Sequence, residues 1–181
     1  MYKHRLKEIA EFNVNSLTGK FNFESIAYLD TGNLTNGKVS EYQYFNLKTD
    51  SIPSRARRLV KNNSVLYSTV RPNQRHFGII KMDNVPDNLV VSTGFAVIDV
   101  NEAIADPNYV YYFLQQQQIV ATLSAVAEQS VSAYPSIKPS DIGNLEIALP
   151  DLATQKKIAR ILQNFDEKIS VNEKINDNLS C

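Results

Sequence analysis

The hexapeptide Arg71-Pro72-Asn73-Gln74-Arg75-His76 gathers guanidinium, carboxamide and imidazole groups into one polar loop. These groups suit nucleobase edges: arginine pairs with the O6/N7 edge of guanine, and asparagine or glutamine with the N6/N7 edge of adenine. The surrounding stretch, Ser51 to Met82, holds Arg55, Arg57, Arg58, Lys61, Arg71, Arg75 and Lys81 and no acidic residue. Arg55, Arg57, Arg58, Lys61 and Lys81 have the character of phosphate holders, which fix position without reading sequence. Gln129, Ser130, Ser132 and Tyr134 form a second set of side chains suited to the same ligand.

Taken alone, a run of charge is more often a solvated face than a binding site. The chain has 19 basic and 19 acidic residues, so seven positive charges in this stretch leave seven excess negatives elsewhere. Catalytic constellations are few. The two histidines, His4 and His76, lie near the start and in the basic loop, and no His/Cys/carboxylate spacing suggests a metal site. "TGK" at 18–20 and "NGK" at 36–38 lack the upstream glycine of a phosphate-binding loop. "DPNY" at 106–109 is close to a D-P-P-Y methyltransferase motif, but Asn108 replaces the second proline and no glycine-rich loop for S-adenosylmethionine exists. A small nuclease using His76 with a nearby arginine remains a rival reading. The lack of paired carboxylates argues against it.

A length of 181 residues suits one domain, or one domain with an appendage. Apolar content of 43% fits a folded globular chain. No apolar run approaches the roughly 18 to 20 residues of a membrane span, and the start lacks a signal-peptide h-region. The single cysteine, Cys181, has no intrachain partner, which favours a reducing, cytoplasmic setting.

The elements that must position the loop read as follows. Asn36-Gly37 between apolar flanks signals a hairpin, because both central residues of a type I′ turn need positive φ. "SVLYSTV", "GII" and "NLVV…GFAVIDV" are β-branched and aromatic, as strands are. The basic loop then closes a hairpin between the first two. Asp106 is a good N-cap and Pro107 a good first helical residue, so a helical insert follows, bent or broken near Gln115 to Gln118. A helical turn near Ser140 to Asn144 and a strand ending at Pro150 complete this part.

The last 31 residues, from Asp151, contain no glycine or proline. Ile158, Phe165, Asn172 and Leu179 fall at d, and Gln155, Leu162, Ile169 and Asn176 at a, with Ile161 and Ile175 widening the stripe. That is coiled-coil spacing. Asn172 and Asn176 favour a helix–helix seam over a monomer core. The fold class is α+β: a mixed, strand-rich domain with a helical insert, then a long coiled-coil-type helix.

Three stretches together resemble the specificity (S) subunit of type I restriction–modification systems. In "YPSIKPSDIGNLEIALPDLATQKKIARILQNFDEKISVNEKI", Ile147, Leu149, Pro150, Leu152, Gln155, Ile158, Ala159 and Leu162 occupy the family's places. "SVLYSTVRPNQRHFGII" resembles its strand, loop and strand, with Asn63-Ser64 where Gly-Asp is usual. "VVSTGFAVIDVNEAIADPNYVYYFL" supplies the third stretch. The resemblance spans nearly the whole chain.

It implies a sequence-specific DNA-binding role, with residues 1–149 as a target recognition domain and 150–181 as a spacer and dimerisation helix. Catalysis is then expected in separate modification and restriction subunits, so this chain needs no catalytic residue, metal or cofactor. S-adenosylmethionine belongs on the partner methyltransferase. Family members carry two recognition domains and two spacers packed antiparallel, so this chain reads as a half-subunit, natural or truncated. It would form a homodimer or pair with another half through Ile158, Ile161, Leu162, Phe165, Ile169, Asn172, Ile175, Asn176 and Leu179. Double-stranded DNA and both enzyme subunits are the expected partners, with no membrane. A recognition domain detached from a fused type II enzyme, and a plain oligomerisation module, remain alternatives.

Overall fold

Strands occupy the β-branched and aromatic runs up to Val100, and helices take over at Asp106. The structure, a computed structural model, describes residues 2–17, 23–82, 84–129 and 134–179. In chain order come β1 (Tyr2–Arg5), α1 (Leu6–Ile9), β2 (Ala10–Phe12), β3 (Ser25–Leu29), β4 (Leu34–Thr35), β5 (Lys38–Val39), β6 (Gln43–Asn46), β7 (Ala56–Leu59), β8 (Val65–Ser68), β9 (Phe77–Ile79), β10 (Leu89–Ser92) and β11 (Phe95–Val100). Then follow α2 (Pro107–Gln115), α3 (Gln117–Glu128), α4 (Pro139–Gly143), β12 (Glu146–Leu149) and α5 (Leu152–Leu179).

Two four-stranded sheets form the body, in the orders β6-β3-β10-β7 and β2-β11-β8-β9. The second is antiparallel throughout. The first is mixed, with β3 and β10 parallel. Alternation along each strand decides what lies on either face. On β8, Val65 and Tyr67 face a core shared with Val110, Leu114 and Leu123 of the helices, while Leu66 faces Leu29, Val91 and Phe95 between the sheets. Tyr67 stacks on Phe77 of β9, ring centres 5.6 Å apart, which stiffens the base of the hairpin carrying the basic loop.

The local signals place the helices. The Asp106 carboxylate accepts from Tyr109 N at 3.0 Å, and Pro107 opens α2. The expected interruption falls at Gln116, whose ψ of 135° ends α2 and starts α3. Asp151 caps α5 by accepting from Thr154 N at 2.9 Å and from Thr154 Oγ1 at 2.7 Å, and these bonds hold its carboxyl below the usual range. The pairing of β1 with β12 has no local signal: the two run antiparallel, with Tyr2 opposite Leu149. It ties the start of the chain to the strand that launches α5. Among the described residues, no helix is long and apolar enough to cross a membrane.

Candidate nucleic-acid interface

The β8–β9 loop is built around a 3-10 turn, Pro72–Gln74, flanked by Arg71 at φ 47° and Arg75 at φ 57°. Left-handed backbone is uncommon for residues with a side chain and is kept only where the surroundings impose it. Here they do. Arg71 N donates to Pro135 O at 2.9 Å, Asn36 N to Arg75 O at 3.0 Å, and Ser68 N to His76 O at 2.8 Å. Pro72 is buried beneath the turn.

This backbone sends the loop's side chains in two directions. Arg71, Asn73 and Gln74 are exposed. The Arg71 guanidinium lies over the Tyr134 ring, 5.2 Å from its centre, a cation–π contact that orients it. Arg75 turns inward to the α2–α3 junction, donating to Gln115 O at 3.5 Å and to the Gln117 side-chain oxygen. His76, half-buried, faces Leu34 O and Gln74.

Arg71 and Gln74 share a groove of about 580 Å³ with Arg55, Val70, Tyr134 and Ser136. Arg55 arrives there from the segment before β7, its carbonyl accepting from Thr93 N at 2.8 Å. Arg57 is exposed on β7, where its Nε donates to Ser54 O at 3.3 Å. None of Arg55, Arg57 and Arg71 forms an ion pair with a described carboxylate. Arg58 is half-buried and donates to Ser16 Oγ at 3.3 Å, with its Nε buried and unpaired among the described groups.

The basic stretch is thus divided in space. Lys61 and Lys81 sit at the opposite end of the β8–β9 hairpin from the loop. Lys61 Nζ is 4.0 Å from Asp99, and Lys81 Nζ donates to Asn63 Oδ1 at 2.6 Å. Burial lowers the Lys81 ammonium, against the pull of Asp106 and Glu102. Of the second set, Tyr134 joins the groove and Gln129 ends α3, exposed, while Ser130 and Ser132 lie outside the described residues. No group of three or more His, Cys, Asp or Glu converges as a metal site among the described residues.

α5 is anchored at its start, and its apolar side chains are exposed towards its end. Gln155, a seam residue by spacing, turns into its own domain and is 1% exposed. Its Oε1 accepts from Asp106 N at 2.9 Å and its Nε2 donates to Pro150 O at 2.9 Å, a bond set no repeat pattern reveals. Next, Ile158, Leu162 and Phe165 border a groove of about 510 Å³ against Tyr109, Tyr112 and Phe113 of α2. Tyr112 Oη donates to Asp166 Oδ2 at 2.7 Å; burial first, then this bond, raises the phenol's pKa. Gln163 Nε2 donates to Asn108 Oδ1 at 3.0 Å, and Glu173 pairs with Lys38 on the β4–β5 hairpin. Ile161, Phe165, Ile169, Ile175 and Leu179 nevertheless stay 49–79% exposed, with Asn172 and Asn176 beside them.

Residues 2–180 match the family model described as the type I restriction modification DNA specificity domain. The chain belongs to this family. It is 30% identical over 167 residues to the type I restriction enzyme HindI specificity subunit of Haemophilus influenzae, covering 91% of this chain and 36% of that protein. Its fold is similar to the HsdS subunit from Thermoanaerobacter tengcongensis, with a TM-score of 0.75 at 22% identity over 96% of this chain and 44% of that one. The type I restriction–modification S subunit from M. genitalium follows at a TM-score of 0.55 and 16% identity, over 93% of this chain and 40% of that one. The chain therefore spans about two-fifths of the length of these specificity proteins.

Proposed function

We propose that this specificity-family chain selects a DNA sequence, holding the duplex through Arg55, Arg57 and Arg71 and reading base edges with Arg71 and Gln74. The observation that carries this reading is the groove in which Arg71, braced on Tyr134, stands beside Gln74 and Arg55 with no described acidic partner. Guanidinium groups without a protein counter-charge attract phosphates, and a braced guanidinium beside a carboxamide offers partners for guanine and adenine together. Arg75 and His76, whose polar atoms bond within the protein, then support the loop and do not contact bases.

In this reading, residues 150–181 form a spacer. Its exposed stripe docks against the corresponding helix of a second copy or of another recognition half, antiparallel, so that two recognition domains sit at opposite ends. Modification and restriction subunits supply adenine methylation and cleavage, and S-adenosylmethionine binds the former. The test is co-purification with the modification subunit of the same host, followed by mapping of methylated adenines. A defined, bipartite set of sites supports the reading; methylation without sequence preference contradicts it.

A further inference from the structure

Gln74 projects into the groove, and His76 holds it from behind. His76 Nδ1 lies 2.8 Å from Leu34 O and 3.1 Å from Thr35 Oγ1, while Nε2 lies 3.2 Å from Gln74 Oε1. A carbonyl oxygen only accepts, so Nδ1 carries a proton and Nε2 is the nitrogen left for Gln74. The platform under the ring is rigid. Gly37 N donates to Phe77 O at 2.8 Å, and Gly37 has φ +77° with the site of a Cβ only 2.3 Å from Tyr111 Oη. Asn73, on the same turn, has no such tether among the described residues.

We propose that His76 is a positioning residue that fixes the Gln74 carboxamide, making Gln74 the loop's reader of an adenine edge. This rests on the DNA-reading role proposed above. A carboxamide has two lone pairs and two N–H groups, so one bond to the ring leaves a donor and an acceptor side by side for adenine N7 and N6. With a protonated ring, Oε1 accepts from Nε2–H in the contact observed; with a neutral ring, the carboxamide turns over and gives an N–H to Nε2. Either bond selects one rotamer. Without the ring, Gln74 spreads over its rotamers and must be ordered anew at each binding event, which weakens discrimination.

The experiment selects binding sites from random duplexes with this chain and three variants: Gln74→Ala, His76→Asn and His76→Gln. Asparagine retains a donor near Nδ1 for Leu34 O but does not reach Gln74. Glutamine reaches the Nε2 position and restores the tether while giving up the Leu34 bond. Gln74→Ala and His76→Asn should relax preference at one and the same position, roughly tenfold, whereas His76→Gln keeps it. A merely structural role for the ring predicts the reverse order, since only the Leu34 bond would matter. The proposal is overturned if His76→Asn retains the wild-type preference, or if His76→Gln relaxes it as much as His76→Asn. A wild-type preference indifferent to Gln74 overturns this inference and the part given to Gln74 above, while leaving Arg71 as a reader; a wild type that selects no sequence overturns the whole reading beneath it.

Discussion

Arg71, proposed to read bases, is ordered by a left-handed backbone, with its amide bonded to Pro135 O and its guanidinium laid over Tyr134. Pre-organisation of this kind lowers the ordering cost of binding. Arg71→Ala should cost about 1–3 kcal/mol on the preferred site and relax preference at one position. Arg57→Ala should weaken binding to all sequences alike and reduce the salt slope by about 1. Fluorescence anisotropy against preferred and scrambled duplexes at several salt concentrations separates the two effects. The residue types of the loop were legible in the sequence, because the chemistry of Arg and Gln toward bases is local. The inward turn of Arg75 was not, because its partner Gln117 is 42 residues away and only the packing of α3 brings it close.

α5 shows the same division at the scale of an element. Its length, its Asp151 cap and its apolar stripe follow from spacing and capping chemistry. What covers each part of the stripe does not, since periodicity says which residues share a face and nothing about the partner. Gln155 is the case in point: replacing it with leucine keeps volume but leaves Asp106 N and Pro150 O without their partner. Gln155→Leu should cost about 2–3 kcal/mol, read as a lower urea midpoint with an unchanged slope. Farther along, Phe165 and Ile169 are 58% and 55% exposed. A long helix with a bare apolar stripe gains stability by burying it against another helix. Phe165→Asp or Ile169→Asp should abolish self-association in sedimentation velocity while the far-ultraviolet circular dichroism of the domain persists.

At the scale of the molecule, the proposed reading makes α5 a ruler fixed to a recognition domain. The sheet order could not be read from sequence, because the parallel pairing of β3 with β10 and the β1–β12 pairing join segments far apart in the chain. The geometry of the proposed reading is nevertheless simple. The 28 residues of α5 span about 42 Å at ~1.5 Å per residue. That compares with the roughly 34–36 Å of one DNA turn between half-sites. Two antiparallel copies would then read a bipartite palindrome whose unread spacer is set by the helix. Inserting one heptad adds about 10.5 Å, or about 3 base pairs at ~3.4 Å each. The most direct test is a map of methylated adenines made by the chain with its modification subunit, for the wild type, Arg71→Ala and the heptad insertion. The account predicts unchanged half-sites with a spacer longer by about 3 base pairs for the insertion, and a relaxed half-site position with unchanged spacing for Arg71→Ala. Identical maps for all three proteins would contradict it.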